Sequence, residues 1–143
     1  MEFKDIADNL NEYLDKLVEE INNKDYTKKE DLKNINGIYV FYENNKPIYV
    51  GRTNRKRMRK RIQEHSRTGS DKNSATFAYL LYLEKNKDKN ISTNNPEFIK
   101  VKNRVKEMKL KFVEINDEII QTIFEPYLAY KLGTEKFNKF KTH

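Results

Sequence analysis

Arg61 and His65 stand four residues apart in the most basic stretch of the chain, a spacing that puts them on one face of a helix. Seven cationic residues fall between positions 52 and 61. The window 52–72 holds nine Lys and Arg against two Asp and Glu, an excess of +7 that equals the net charge of all 143 residues. Charge focused in this way is the electrostatic footprint of a polyanion partner. A solvated basic helix face would carry the same charge, so the residues that act with these cations decide between the two readings. The other histidine, His143, is the last residue. There is no Cys, so disulfides, thiolate nucleophiles and thiolate metal sites are excluded. No Ser-His-Asp set and no Gly-rich phosphate loop occurs, which leaves acyl transfer and nucleotide hydrolysis without support.

The elements that must position these groups can be read from periodicity. Ile6, Leu10, Tyr13, Leu14, Leu17, Val18 and Ile21 follow helical spacing, with Asp8, Glu12, Asp15 and Glu19 opposite. This predicts an acidic amphipathic helix over 5–23, an appendage that packs on the domain or on a second copy. GIYVFY (37–42) and PIYVG (47–51) are β-branched and aromatic, and the ENNK between them is a turn. An antiparallel hairpin is expected, with Tyr39 and Tyr49 on one face if the register is even, for example with Tyr39 opposite Tyr49. Helical pattern follows over 56–67, and Ser74 can cap a helix running SATFAYLLYLEK. A further helix over 97–108 points Phe98, Val101, Val105 and Met108 inward. LKFVEI (110–115) reads as a third strand. Asp117 caps a last helix to Leu132, with Ile119, Ile120, Ile123, Tyr127 and Leu128 on its apolar side; Pro126 should kink or split it, and Gly133 stops it.

Apolar residues make up 36% of the chain and charged residues another 36%. Seventeen aromatics, nine Tyr and eight Phe, still supply enough apolar area for a core. No apolar run approaches the length of a membrane span, and the first residues lack the basic-then-apolar pattern of a secretory signal. A cytoplasmic location without membrane association is the expectation.

GIY at 37–39, nine intervening residues, YVG at 49–51, an Arg-x-x-x-His helix, a downstream Glu125 and then Phe137-Asn138 form an ordered set. In this set the chain resembles the GIY-YIG nuclease family, over about residues 36–140. The Arg-x-x-x-His step and the aromatic SATFAYLLY stretch look more like its restriction-endonuclease-like branch. The resemblance implies hydrolysis of a nucleic-acid phosphodiester with one divalent metal. It implies that Glu125 is the metal ligand, a hard oxygen donor suited to Mg²⁺ or Mn²⁺. Arg61 would clamp phosphate oxygens. Tyr39 would act as general base or position the water, with nearby cations favouring the phenolate of a group whose free pKa is about 10. His65 would accept a proton from Tyr39 or bond a phosphate, and Tyr49 would hold phosphate or the water. Asn138 would bond Glu125 or the backbone and fix the last helix. Arg52, Thr53, Lys56, Arg57 and Lys60 would contact phosphates, giving affinity with little sequence information.

The expected fold is therefore mixed α+β, a small three-stranded antiparallel sheet with surrounding helices. Residues 1–35 would form the N-terminal amphipathic helix and linker, and residues 36–143 the nuclease-like domain. The expected function is metal-dependent cleavage of DNA, with a homodimer possible through the N-terminal helix. A non-catalytic nucleic-acid-binding module, or a nuclease of RNA or branched DNA, is the alternative.

Overall fold

The computed structural model describes residues 9–138. Its elements run α1 (Leu10–Asn23), a short 3₁₀ turn (Lys29–Asp31), β1 (Gly37–Glu43), β2 (Lys46–Thr53), α2 (Met58–Glu64), α3 (Thr76–Leu83), α4 (Pro96–Lys106), β3 (Lys109–Glu114) and α5 (Glu118–Leu132). This is the expected mixed α+β class with three antiparallel strands and five helices. No helix among the described residues is long and apolar enough to cross a membrane. The residues group into two compact units. One takes the chain up to Met58 together with Lys109 onward, and the other is Arg59–Met108.

The first unit is built on the sheet, in the order β2-β1-β3. Asn44 and Asn45 join β1 to β2, both with positive φ (53° and 63°), the geometry of a tight hairpin turn that Asn tolerates well. Tyr39 pairs with Gly51 and Phe41 with Tyr49, so Tyr39 and Tyr49 share a face, two residues out of direct opposition. The pairing slips between Phe41 and Tyr42, where β2 carries an extra residue beside Pro47, a placement suited to an edge strand. The opposite face carries Ile38, Val40, Tyr42, Val50, Val113 and Ile115. These pack with Leu14, Leu17 and Ile21 of α1 and with Ile120, Phe124, Leu128 and Ala129 of α5.

Helix α1 packs on the domain, the first of its two expected placements, and its buried residues join the core of the sheet. Each of its three buried aliphatics contributes roughly 2 kcal/mol by removal from water. Ile6 and Asp8, placed on the same expected helix, lie outside the described residues. Helix α5 begins as expected, with Asp117 accepting from the backbone N–H groups of Ile119 and Ile120, and ends at Gly133 in the left-handed conformation (φ 73°). It runs unbroken through Pro126 and is not split there. Ile119, expected inward, is exposed.

In the second unit, α3 and α4 pack through Tyr79, Tyr82 and Phe98, whose ring centroids lie 6.2–6.3 Å apart. Ser74 is not the cap of α3, which starts two residues later. Asp71 organises this turn instead, its Oδ1 accepting from the backbone N–H groups of Asn73 (3.0 Å) and Ser74 (2.8 Å). On α4 the buried positions are Phe98, Lys102 and Val105, so Lys102 takes the inward place expected for Val101. The Lys102 ammonium donates to the carbonyls of Thr68 (2.6 Å), Ser70 (2.8 Å) and Thr93 (3.1 Å) and lies over the Phe98 ring. All three donors are used, which is how a lysine only 1% exposed is tolerated. Burial lowers its pKa, and the Asp71 carboxylate partly offsets that.

Candidate functional site

The two halves of the GIY and YVG motifs are fitted to each other. A Cβ built on Gly51 would lie 2.2 Å from Cζ of Tyr39 and 2.4 Å from its hydroxyl oxygen. The phenol therefore occupies the space that any side chain at 51 would fill. Gly37 is constrained similarly, because its Cβ would meet the Val113 carbonyl oxygen at 2.1 Å, where β3 passes close. Tyr39 itself is 1% exposed and stands edge-on to Phe41, which in turn packs against the half-buried Tyr49. The face carrying both expected tyrosines is an aromatic layer cut to the shape of Tyr39.

Strand β2 is held from outside by Asn138. Its Oδ1 accepts from the backbone N–H of Val50 at 2.9 Å, and its amide nitrogen donates to the Val50 carbonyl. The Thr134 hydroxyl donates to the same Oδ1 at 2.8 Å. Of the two partners expected for Asn138, it is the backbone that Asn138 bonds. The segment after α5 is tied in this way to the residue between Tyr49 and Gly51.

Glu125 and Arg52 come together on the α5 side of the sheet. Arg52 is opposite Ile38, so its side chain starts on the core face, opposite to that of Tyr39. Its Nη1 donates to the Thr122 hydroxyl at 2.6 Å, one turn before Pro126. Glu125 is half-buried. Burial pushes its carboxyl pKa above the usual 4.5, and the positive charge of Arg52 works against that rise. Pro126 has no N–H to give the Thr122 carbonyl, so α5 lacks that one helical hydrogen bond in the same turn. No group of three or more His, Asp or Glu among the described residues is placed to hold a metal. A hard divalent ion here would have Glu125 as its one carboxylate and take its remaining ligands from water and substrate, a pattern that Mg²⁺ accepts. A carboxylate already desolvated and only partly compensated fits that role.

The second unit places Arg61 and His65 one turn apart. Arg61 Nη1 donates to the Ser74 carbonyl at 2.6 Å and pairs with Glu64 at 3.2 Å, so the guanidinium is anchored while remaining part-exposed. His65 is 0% exposed; burial first, and then the Arg61 charge, hold its pKa well below 6.5. It is a neutral imidazole at physiological pH, whose burial disfavours protonation and keeps it away from a phosphate in solution.

Of the expected phosphate contacts, Arg52, Lys56, Arg57 and Lys60 are exposed. Thr53 is buried; its hydroxyl lies 3.3 Å from the Asn54 carbonyl and its own carbonyl accepts from Gln121, so it secures the strand end. Sequence reasoning missed Lys102, whose signal was a lysine four residues after Phe98 inside an apolar stripe. It also missed Asn36 and Gln121, polar residues that no periodicity marks. Gln121 is fully buried and donates to the Ile115 carbonyl as well as to that of Thr53. No family model matches this chain, and neither the curated proteins nor the solved structures give a match.

Proposed function

We propose that this protein is a metal-dependent endonuclease that hydrolyses phosphodiester bonds in DNA. The observation that carries the reading is the fit of Tyr39 to Gly51. A glycine inside a strand weakens it unless something else needs the space, and here that something is a phenol from the partner motif. The first unit supplies two hydroxyls on one face and a half-buried carboxylate on α5. The second supplies an anchored guanidinium and a neutral imidazole. Hydrolysis needs an oriented water, neutralised phosphate charge and a stabilised leaving oxygen. In this reading Tyr39 and Tyr49 orient the water, and Arg61 supplies positive charge for the phosphate backbone. A divalent cation at Glu125 would supply Lewis acidity at the phosphate and leaving oxygen.

The second reading is a nucleic-acid-binding module without catalysis, favoured by the near-complete burial of Tyr39. Plasmid cleavage with Mg²⁺ or Mn²⁺ separates the two, with EDTA and Glu125→Gln as controls. The nuclease gives nicked or linear product that requires both the metal and Glu125, and Glu125→Gln still binds DNA. Salt-sensitive binding with no product under either metal supports the binding module. Thermal unfolding adds a readout independent of turnover. Mg²⁺ should raise the midpoint of the wild type and leave that of Glu125→Gln in place.

A further inference from the structure

Two pairs of consecutive non-glycine residues with positive φ occur among the described residues. Asn44 and Asn45 form the hairpin tip. The other pair is Arg55 and Lys56 (φ 60° and 52°), which follow β2 after Asn54. Both pairs have φ in the left-handed range, and the residue choice is opposite. Asn visits this region readily, whereas Arg and Lys do not. A chain with Asn at the first pair keeps two cations at the second, where Gly or Asn would relieve the backbone.

The turn is also pinned. The Lys56 N–H donates to Oδ1 of Asn36 at 2.6 Å, and the N–H of the fully buried Met58 donates to the Ile35 carbonyl at 3.2 Å. Asn36 reaches the end of β3 as well: its carbonyl accepts from the Ile115 N–H at 3.0 Å and its amide faces Asn116 Oδ1 at 3.4 Å. Residues 35 and 36 immediately precede Gly37, so the turn is indexed to the strand that carries Tyr39. Arg55, Lys56 and Arg57 are all exposed. Lys56 spends its backbone donor on Asn36, so the turn offers solvent the side-chain charges of Arg55 and Lys56.

We infer that residues 54–57 are a pre-organised clamp for nucleic-acid phosphate, with Arg55 and Lys56 as its cations and Asn36 as the positioning residue that holds them in register with β1. This rests on the nucleic-acid reading above and adds to it a site, Arg55 and Asn36, that charge alone did not single out. Strain retained at a functional turn is a form of pre-organisation.

The test is the salt dependence of binding to a labelled mixed-sequence duplex, measured by fluorescence anisotropy. Arg55→Asn with Lys56→Asn copies the hairpin tip, so the fold is kept and the thermal midpoint is not lowered. The clamp predicts that this variant binds at least about ten-fold more weakly at low salt. It also predicts that the slope of log affinity against log salt falls by about 2, near 0.9 for each phosphate no longer neutralised. Lys85→Asn with Lys87→Asn removes the same charge from exposed positions elsewhere and should leave the slope unchanged. Asn36→Ala should weaken binding in the wild-type background and add nothing in the Asn-Asn background, because it acts through the turn. An unchanged slope in the Asn-Asn variant, or an equal fall in the Lys85/Lys87 control, overturns the clamp while the nuclease reading stands. A wild-type protein with no salt-sensitive DNA affinity overturns both.

Discussion

Glu125 is in an environment that works against its own charge. Its carboxyl has a raised pKa in the folded chain and an ordinary one, near 4.5, when unfolded. Above the unfolded value the native state therefore holds more protons than the unfolded state. Stability then falls as pH rises from about 4.5 through the folded pKa, and the deficit persists at neutrality. Glu125→Gln removes the ionisable group, so it should abolish cleavage and yet leave the protein at least as stable at pH 7, with a flatter pH profile of the thermal midpoint. A carboxylate kept only for the fold would give the reverse, a less stable variant. Gly51 is the other residue whose identity is forced. Gly51→Ala drives a methyl into the Tyr39 ring, and overpacking of this kind costs about 1–3 kcal/mol. Chemical denaturation should show that destabilisation. A variant as stable as wild type would mean that the ring simply swings away, and the fit would carry no argument.

At the scale of elements, β2 is held near its middle by one side chain, Asn138, and at its end by Gln121. Asn138→Ala strips both hydrogen bonds from Val50, and a buried unsatisfied backbone pair costs about 1–3 kcal/mol. Because Tyr49 and Gly51 flank Val50, hydrogen exchange at 49–51 should accelerate and cleavage should fall together. Unchanged exchange there would remove Asn138 from the site. Most of the elements are legible in the sequence, since β1 and β2 are unbroken β-branched and aromatic runs around an Asn-Asn turn, and α5 has Asp117 and Gly133 at its ends. The same patterns cannot give the register, because an even offset admits several pairings and the slip beside Pro47 changes them. They also leave α1 open between packing on the domain and on a second copy, whereas its Leu14, Leu17 and Ile21 are core. Lys102 is marked only by its place in an apolar stripe, and its burial is not legible for a related reason. An inward lysine is stable only when carbonyls from distant loops converge on it, and spacing carries no trace of Thr68, Ser70 and Thr93. The residue types of the candidate site are readable from the motif order, but the faces are not: Tyr39 and Tyr49 lie on one side of the sheet, whereas Arg52 starts from the other.

For the whole molecule, the chain leaves its first compact unit after Met58 and returns to it at Lys109. Lys102 stabilises only the excursion. Lys102→Met keeps the length and the apolar stem and leaves three carbonyls without their donor, so it should speed amide exchange in α3 and α4 while β1 keeps its protection. Equal loss of protection in β1 would show that the two units unfold as one. The hydrogen bonds of Asn138 have a consequence at this scale too. A sheet of three strands has two open sides, and each is a template on which another chain could lay a strand. On β2 the outward groups of Val50 are taken by Asn138. On β3 the Thr27 N–H is bonded to the Leu110 carbonyl at 2.7 Å, within a short antiparallel bridge. Each margin of the sheet thus has one backbone position taken by the chain's own residues, near the middle of β2 and near the start of β3. One asparagine and one threonine give the chain part of its protection against growing into a fibre.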